Sequence, residues 1–156
     1  MHVGIIVYSH TGHTLTVARR LEKRLAEDGH AVSLKELEVA GPANPSATTA
    51  TLRGKPSIEP YDVLVFASPV NGGRMSAAMN SYLDHIRSLQ GKQVVCLVTH
   101  FLFQSWGADQ TLEKMKEVCQ SKGATVCSIG SVRWSSLRRR YRISQVVENL
   151  AGCLES

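Results

Sequence analysis

The sequence contains no apolar run long enough to span a bilayer, for which about 20 residues are needed. Its first residues are not a basic segment followed by a long apolar run, so we expect no secretory signal and a cytoplasmic location. Its four cysteines form no Cys-x-x-Cys pair and no cluster, which favours small buried thiols over disulfides or metal ligands. With 156 residues and ordinary hydrophobic and charged fractions, the chain is expected to form one domain over residues 1–156.

Several motifs for nucleotide and phosphate chemistry are absent as well. The polar loop at residues 9–14 has no Gly-Lys-Ser/Thr element, so it is not a nucleoside-triphosphate loop. The absence of Gly-x-Gly-x-x-Gly argues against a Rossmann dinucleotide site. The loop also lacks a cysteine, which argues against a phosphatase that uses a thiolate there. The segment before it ends without paired aspartates, which fits poorly with a phospho-accepting receiver domain.

Five short segments have the length and composition of strands, and helical patterns separate most of them. The first is an apolar run rich in β-branched side chains, as expected of a strand buried on both faces. Residues 41–60 contain four prolines and predict a surface connection, with room for a short helix at residues 47–52. The predicted strands are 3–8, 31–37, 63–67, 94–98 and 125–129, and apolar stripes at helical spacing cover 17–25, 75–89, 112–119 and 143–154.

This alternation predicts an α/β protein with a three-layer, doubly wound, five-stranded parallel sheet. The right-handed crossover rule and the length of the chain favour the flavodoxin-like strand order 2-1-3-4-5. In such sheets ligands bind beyond the carboxyl ends of the strands, at the switch point between strands 1 and 3. That rule selects three loops as the candidate site: residues 9–14, 68–74 and 99–107.

The first loop has the composition of an anion cradle. A phosphate could be met by hydroxyl groups, by backbone N–H groups freed by a glycine and by the start of the following helix. A helix N-terminus carries roughly half a positive charge, so no lysine or arginine is required. The alternative is that the turn only caps its helix. The candidate residues are Ser9, His10, Thr11, Gly12, His13 and Thr14.

The second and third loops have features that suit a flat ligand. In the second, an asparagine followed by two glycines lets the main chain approach a ring closely, although an ordinary turn is the alternative. The third concentrates aromatic side chains, of which Trp106 or Phe101 is the favoured stacking face unless they only cover the core. The candidate residues are Ser68, Pro69, Val70, Asn71, Gly72 and Gly73 in the second loop, and Thr99, His100, Phe101, Trp106 and Gly107 in the third.

Two patterns resemble the flavodoxin-like superfamily, which includes NAD(P)H:quinone oxidoreductases and FMN reductases. The first loop resembles the FMN phosphate loop Ser-x-Thr-Gly-x-Thr, and the resemblance covers nearly the whole chain. It implies FMN as cofactor, with the backbone of residues 69–73 along the isoalloxazine edge and the Asn71–Gly72 peptide at flavin N5. The chain lacks the acidic surface and the second-loop tyrosine of many electron-carrying flavodoxins. The second pattern, P-x-x-x-G-x-M-x-x-x-M-x-x-x-L-D, is matched by Pro69, Gly73, Met75, Met79, Leu83 and Asp84.

Three histidines are expected at the same edge of the sheet: His10, His13 and His100. They could be imagined as a metal site, but no carboxylate or thiolate accompanies them. We therefore predict no metal, and a hydrogen bond or partial charge from His10 and His13 to a phosphate.

A basic segment follows the last predicted strand, at residues 133–142. A solvated charged face and nucleic-acid binding are alternatives, but no recognised nucleic-acid module surrounds it. We expect it to dock an acidic redox partner or the phosphates of a nicotinamide cofactor, because arginine binds phosphate bidentately. Its arginines are Arg133, Arg138, Arg139, Arg140 and Arg142.

These observations predict an FMN-binding redox protein that transfers electrons through the flavin. No side chain is a credible nucleophile or general base, so no catalytic residue is assigned. The sequence leaves open a NAD(P)H-dependent quinone or flavin reductase, and a flavin-less binding domain that uses the basic segment. The resemblance also allows a homodimer, and no membrane partner is expected.

Overall fold

The computed structural model of the protein describes residues 1–42, 47–101 and 107–154. Helices separate most of the strands; in the described residues β2, β3 and the two-residue strand β4 follow one another without a helix between them. The elements are β1 (His2–Val7), α1 (His13–Glu27), β2 (Ala31–Glu36), β3 (Val63–Asn71), β4 (Arg74–Met75), α2 (Ala77–His85), β5 (Gln93–His100), α3 (Ala108–Ser121), β6 (Thr125–Arg133) and α4 (Arg139–Gly152).

The sheet has the strand order β2-β1-β3-β5-β6, and β4 pairs with β3 outside this path. Each neighbouring pair along the path is parallel, whereas β4 is antiparallel to β3. With β4 set aside, the five parallel strands follow the predicted order 2-1-3-4-5, which is confirmed. The switch point lies between β1 and β3, so the loops that follow these two strands meet at the carboxyl edge of the sheet.

Helices cover both faces of the sheet, as a doubly wound fold requires. Alternate residues of β1 point to opposite faces, because side chains in a strand have a period of two. Ile5 and Val7 belong to the core cluster formed with α1 and α4, whereas Ile6 belongs to the cluster formed with α2 and α3. All three side chains are fully buried. This explains why β1 reads as a continuous apolar run in the sequence.

The end of β3 differs from the prediction. The strand continues beyond residue 67 to Asn71, turns at Gly72 and Gly73, and pairs with β4 as a hairpin. Gly72 and Gly73 have φ angles of 57° and 77°, the conformation that a two-residue hairpin turn requires and that glycine adopts at least cost. The Asn-Gly-Gly sequence is a hairpin signal that the sequence analysis took for an open loop. The predicted loop 68–74 is therefore corrected to a rigid hairpin.

The start of α2 also differs from the helical stripe. Met75 lies in β4, and the helix begins after Ser76, whose Oγ accepts a hydrogen bond from the Met79 N–H at 3.2 Å. Such a side-chain cap supplies an acceptor to an N–H group that has none within the helix. Ile86 and Leu89, at the other end of the stripe, are buried but lie beyond the helix.

The connection between β2 and β3 does not form the short helix considered for residues 47–52. Leu52 instead makes an isolated antiparallel bridge with Val39. Side chains of α2 bind the backbone of this connection: Asn80 Nδ2 donates to the Thr48 carbonyl, and Ser81 Oγ accepts from the Ala50 N–H. These bonds satisfy peptide groups that a helix would have satisfied internally.

Candidate functional site

The loop between β1 and α1 folds around the hydroxyl group of Ser9. Ser9 Oγ accepts hydrogen bonds from the N–H groups of Gly12, at 3.1 Å, and Leu15, at 3.2 Å. Gly12 is the N-cap of α1 and has no side chain to cap the helix, but Ser9 Oγ takes the N–H of Leu15, the third residue of α1. A Cβ atom on Gly12 would meet no described heavy atom within 4 Å. A phosphate at this end would be met by N–H groups of the first turn that Ser9 does not bind.

The hydroxyl group of Thr14 does not face this opening. Thr14 is only 1% exposed, and its Oγ1 lies 2.7 Å from Thr99 Oγ1 in a buried hydrogen bond. The expectation that three hydroxyl groups surround the anion is therefore corrected for Thr14, whose side chain connects α1 to β5. Since Ser9 uses its hydroxyl group within the loop, the exposed Thr11 is the remaining hydroxyl side chain at the opening.

Ser68 also has a structural side chain. It is fully buried, and its Oγ lies 2.8 Å from Ser76 Oγ and accepts a hydrogen bond from the Ser76 N–H at 3.1 Å. These bonds hold the hairpin against the start of α2. Among the candidate residues of the second loop, Gly72 and Gly73 are exposed and Asn71 is half-buried. The exposed part of this loop is thus the turn.

The hairpin turn contacts the start of α3. Gly107 is the N-cap of α3 and has a φ angle of 101°. A Cβ atom on Gly107 would lie 2.5 Å from the carbonyl oxygen of Gly73 and 2.6 Å from its Cα. Two backbones approach this closely only where a side chain is missing. The carboxyl-terminal end of the third loop therefore lies against the turn of the second loop.

Two cavities flank Asn71. One, of about 320 Å³, is lined mostly by the connection between β2 and β3, and also by Tyr8, His10 and the start of α2. The other, of about 290 Å³, lies between the hairpin, at Asn71 and Gly73, and α3, at Thr111. Thr111 is 3% exposed, and within the described part of the chain its Oγ1 has no hydrogen-bond partner. The oxygen atom itself is buried, so Thr111 lines the cavity without exposing its hydroxyl oxygen to it.

Thr111 was missed in the sequence analysis. The sequence feature that could have identified it is its position four residues before Met115, on the buried stripe of α3. A polar side chain is unexpected at such a position.

The third loop begins later than predicted, because β5 runs to His100. Thr99 and His100 are therefore strand residues, and both are buried. Phe101 follows the strand and is 61% exposed. Trp106, the other predicted stacking residue, lies outside the described residues. Of the two aromatic side chains favoured for stacking, only Phe101 is thus placed, and it lies at the carboxyl edge of the sheet.

His13 stacks on an aromatic residue that the sequence analysis did not connect with it. Its ring lies parallel to that of Trp134, with centroids 4.1 Å apart and an angle of 12° between the planes. The Arg139 guanidinium also lies over the Trp134 ring, 4.5 Å from its centroid, and donates a hydrogen bond to the Trp134 carbonyl. Burial, and then the charge of Arg139, lowers the pKa of His13 below its ordinary value of 6.5. The basic segment therefore packs beside the first loop.

The rest of the basic segment is exposed and includes apolar side chains. Arg133 is the last residue of β6, and Arg138 to Arg142 lie at the start of α4. Leu137 is fully exposed, Tyr141 is 49% exposed, and the Arg138 guanidinium lies over the Tyr141 ring at 4.5 Å. We call Leu137, Arg138 and Tyr141 the basic-apolar surface.

Neither a metal centre nor a membrane span is found in the part of the chain that the structure describes. No three His, Cys, Asp or Glu side chains there are grouped so that they could hold a metal ion. None of the described helices is both long and apolar enough to cross a bilayer. The three histidines considered together are instead divided: His10 lines the 320 Å³ cavity, His13 stacks on Trp134, and His100 lines a separate cavity near the basic segment.

A parallel sheet of this order with helices on both faces is the flavodoxin-like fold. The family model for NADPH-dependent FMN reductases matches residues 1–136. The chain therefore belongs to the NADPH-dependent FMN reductase family, which confirms the predicted flavodoxin-like, FMN-binding class. No curated protein sequence gives a significant match.

Solved structures with the same fold include several flavodoxins. A variant of the flavodoxin from Pseudomonas aeruginosa is 15% identical, with a TM-score of 0.73 and coverage of 100% of both chains. A flavodoxin from Streptococcus pneumoniae TIGR4 is 18% identical, with a TM-score of 0.69 and coverage of 97% of this chain and 99% of that one. A flavoprotein from Lactobacillus acidophilus in complex with FMN is 15% identical, with a TM-score of 0.68 and coverage of 93% and 97%. At these identities the likeness concerns the fold.

Proposed function

We propose that the protein is an oxidoreductase that binds FMN across its three loops and uses it to pass electrons from NAD(P)H to a small acceptor. Membership of the reductase family supports the activity. The observation that favours this site is the start of α1, which follows an N-cap glycine, on one side of a hairpin whose turn lies against α3. Residues 9–14 offer the phosphate end of such a site, and residues 69–73 with Phe101 and Gly107 offer the ring end.

The phosphate end fits the group without a basic side chain in the loop itself. The first N–H groups of α1 point out of the helix, and the helix dipole favours an anion there. Thr11 is exposed beside this opening and can donate a hydrogen bond to a phosphate oxygen. His13, on the first turn, stacks on Trp134 and can donate a hydrogen bond from a ring N–H to the same anion.

The ring end consists mainly of backbone and buried polar atoms. The hairpin turn presents peptide groups at Asn71 and Gly72, and the family resemblance assigns that peptide to flavin N5. Thr111 lines the cavity beside the hairpin, with its hydroxyl oxygen buried. When bound, FMN supplies the hydride and electron chemistry, and the chain binds it, orients it and limits access of water to it. No side chain is assigned a proton-transfer step.

A one-electron carrier is a second candidate, because of the basic-apolar surface. The exposed leucine and half-exposed tyrosine give this surface apolar contact area beside the charge of an arginine. Its basic side chain would attract an acidic partner and speed their encounter. The surface lies at the start of α4, at the same edge of the sheet as the three loops. The homodimer considered from the sequence stays a prediction.

Binding of FMN and riboflavin tests the phosphate end of the site. Flavin fluorescence is followed while each flavin is titrated with protein, and riboflavin serves as the ligand that lacks the phosphate. We expect Thr11→Ala to weaken FMN binding at least about tenfold, since a hydrogen bond to a charged group contributes roughly 1.5–3 kcal/mol, and to leave riboflavin binding unchanged. Thr125→Ala, at the opposite edge of the sheet, is the matched control. If wild-type protein binds neither flavin, the proposal is wrong.

Steady-state kinetics separate the two candidates. A reductase oxidises NADPH or NADH with a quinone or free flavin as acceptor, whereas a carrier holds bound FMN but oxidises neither nucleotide. Oxidation that requires both the protein and the acceptor supports the reductase. Bound FMN without turnover, together with reduction by an acidic redox protein, supports the carrier.

A further inference from the structure

The cavity of about 290 Å³ beside the hairpin has two basic residues in its lining, Arg74 and Lys114. Arg74 is the first residue of β4, and its register partner across the hairpin is Asn71, which also lines the cavity. Lys114 lies three residues after Thr111 on α3, so the two residues share a face of the helix. One cation therefore comes from the hairpin and the other from the helix that faces it.

Neither cation is neutralised within the part of the chain that the structure describes. The ion pairs there join Arg19 to Glu22 and Arg24 to Asp28 and Glu148, and no hydrogen bond or ion pair joins the side chain of Arg74 or Lys114 to a described residue. None of the described lining residues is a carboxylate. Two like charges that border one space raise its positive potential, and an anion bound between them lowers the free energy of that arrangement.

The charges alone would hold an anion weakly. Both side chains are exposed, so water and salt screen them and each ion pair adds little. A ligand that binds here therefore needs apolar contacts in addition to its charge.

The remaining lining of the cavity supplies such contacts. Ala47 and Met75 contribute apolar side chains, and Gly73 contributes main chain without a Cβ atom. The sulfur of methionine makes favourable contacts with aromatic rings. The volume is close to the lower limit of ligand pockets, roughly 300–1,000 Å³, which suits one or two fused rings better than a dinucleotide. A small aromatic anion combines the charge and the body that this cavity fits.

We propose that this cavity binds a small aromatic carboxylate or sulfonate, which is the electron acceptor of the reductase. The role of the ligand as acceptor rests on the proposed function. Asn71 lines the cavity, and the family resemblance assigns the Asn71–Gly72 peptide to flavin N5, so rings held here lie beside the hairpin of the flavin site. For a quinone acceptor the overall reaction balances: NAD(P)H and one proton reduce the quinone to the hydroquinone and leave NAD(P)⁺.

Binding is measured with naphthalene sulfonate, which has no reducible group, and with naphthol as the neutral probe. Each is titrated into the FMN-saturated protein, followed by calorimetry and by amide NMR shifts at residues 73–75 and 110–114. We expect the sulfonate to bind about tenfold more tightly than naphthol at low salt, since two exposed ion pairs can each contribute about threefold. High salt should reduce this difference, because it screens the exposed charges.

Three substitutions make the test specific. Arg74→Gln and Lys114→Gln should each weaken sulfonate binding about threefold, and the double variant about tenfold, with naphthol binding unchanged. Lys116→Gln removes the same charge from α3 at a position two residues away, which faces elsewhere and does not line the cavity, so it should bind the sulfonate as the wild type does. The melting temperature checks that the variants fold.

Steady-state kinetics test the role of the ligand as acceptor. With NADPH as donor, naphthoquinone sulfonate should have a lower KM than menadione, a neutral naphthoquinone. Lys114→Gln should raise the KM for the sulfonated quinone alone and leave kcat unchanged, as expected when binding is weakened without a change in the reaction step. Equal KM values for the two quinones in the wild type would contradict this role.

Three binding outcomes would overturn the anion site: naphthol binds as tightly as the sulfonate, Lys116→Gln weakens sulfonate binding as much as Lys114→Gln, or either lining variant weakens FMN binding. The last outcome would make the cavity part of the flavin site. FMN binding and NADPH oxidation without sulfonate binding would refute this site and leave the proposed function standing. Sulfonate binding by a protein that binds no flavin would support the anion site although the proposed activity had failed.

Discussion

Gly107→Ala is expected to separate the second and third loops of the candidate site. Gly107 has a φ angle of 101°, in the left-handed region, and a Cβ atom there would lie 2.5 Å from the Gly73 carbonyl oxygen. The obstructing atoms are backbone, so no side-chain rotation can relieve the clash. Either the hairpin or the start of α3 must move. Because both belong to the ring end of the proposed flavin site, FMN binding should weaken with the fold.

Gly107→Ala should lower the free energy of unfolding for two reasons, and a control variant measures one of them alone. A non-glycine residue in the left-handed region costs roughly 1–2 kcal/mol. Overpacking against atoms that cannot rotate away adds about 1–3 kcal/mol. Gly29 has a φ angle of 94°, and a Cβ atom on it would meet no described heavy atom within 4 Å. Gly29→Ala should therefore cost only the backbone part, and Gly107→Ala should be destabilised by about 1–3 kcal/mol more.

Urea denaturation followed by circular dichroism measures both free energies of unfolding, and flavin fluorescence measures FMN affinity. We expect Gly107→Ala to unfold at the lower urea concentration and to bind FMN more weakly, with Gly29→Ala unchanged in FMN affinity. The same unfolding midpoint for the two variants would refute the close approach of Gly107 and Gly73. If Gly107→Ala lowers the stability but leaves the FMN affinity at the wild-type value, the contact between Gly107 and Gly73 does not contribute to the flavin site.

Three further predictions concern the first loop and the basic segment. Thr14→Val and Thr99→Val should each lower the free energy of unfolding by about 1–3 kcal/mol, because each leaves the other buried hydroxyl group without a partner. The double variant should lose less than the sum of the two single losses, as measured by urea unfolding. Strictly additive losses would contradict the hydrogen bond between the two hydroxyl groups. The lowered pKa of His13 means that the unfolded chain binds the proton more readily than the folded chain, so the free energy of unfolding should fall as the pH drops from 6.5 to the folded-state pKa. This pH dependence should weaken in His13→Asn. An NMR titration should show the pKa of His13 rising when FMN binds. Positive charge in residues 133–142 should give bound FMN a less negative midpoint potential than in acidic flavodoxins, and spectroelectrochemistry that gave an equally negative potential would count against it.

The strand order and the position of the site could be predicted from local patterns. Burial on both faces turns a strand such as β1 into a continuous apolar run, and burial on one side gives α1 its helical stripe, so composition and spacing along the chain record the fold. The carboxyl-edge rule then locates the loops, because parallel strands all end at the same edge. The hairpin at residues 71–74 was also within reach of the sequence, since Asn-Gly-Gly is a turn signal.

What each side chain does at that edge was decided by tertiary structure. Thr14 and Thr99 are 85 residues apart, and nothing near either one indicates that their hydroxyl groups pair and leave the anion opening to Thr11. His13 stacks on Trp134, and Gly107 meets Gly73, because the ends of separate strands converge in space. Local periodicity records whether a residue is buried, but it holds no information about which distant residue will be its neighbour. That choice follows from the order of the strands in the sheet.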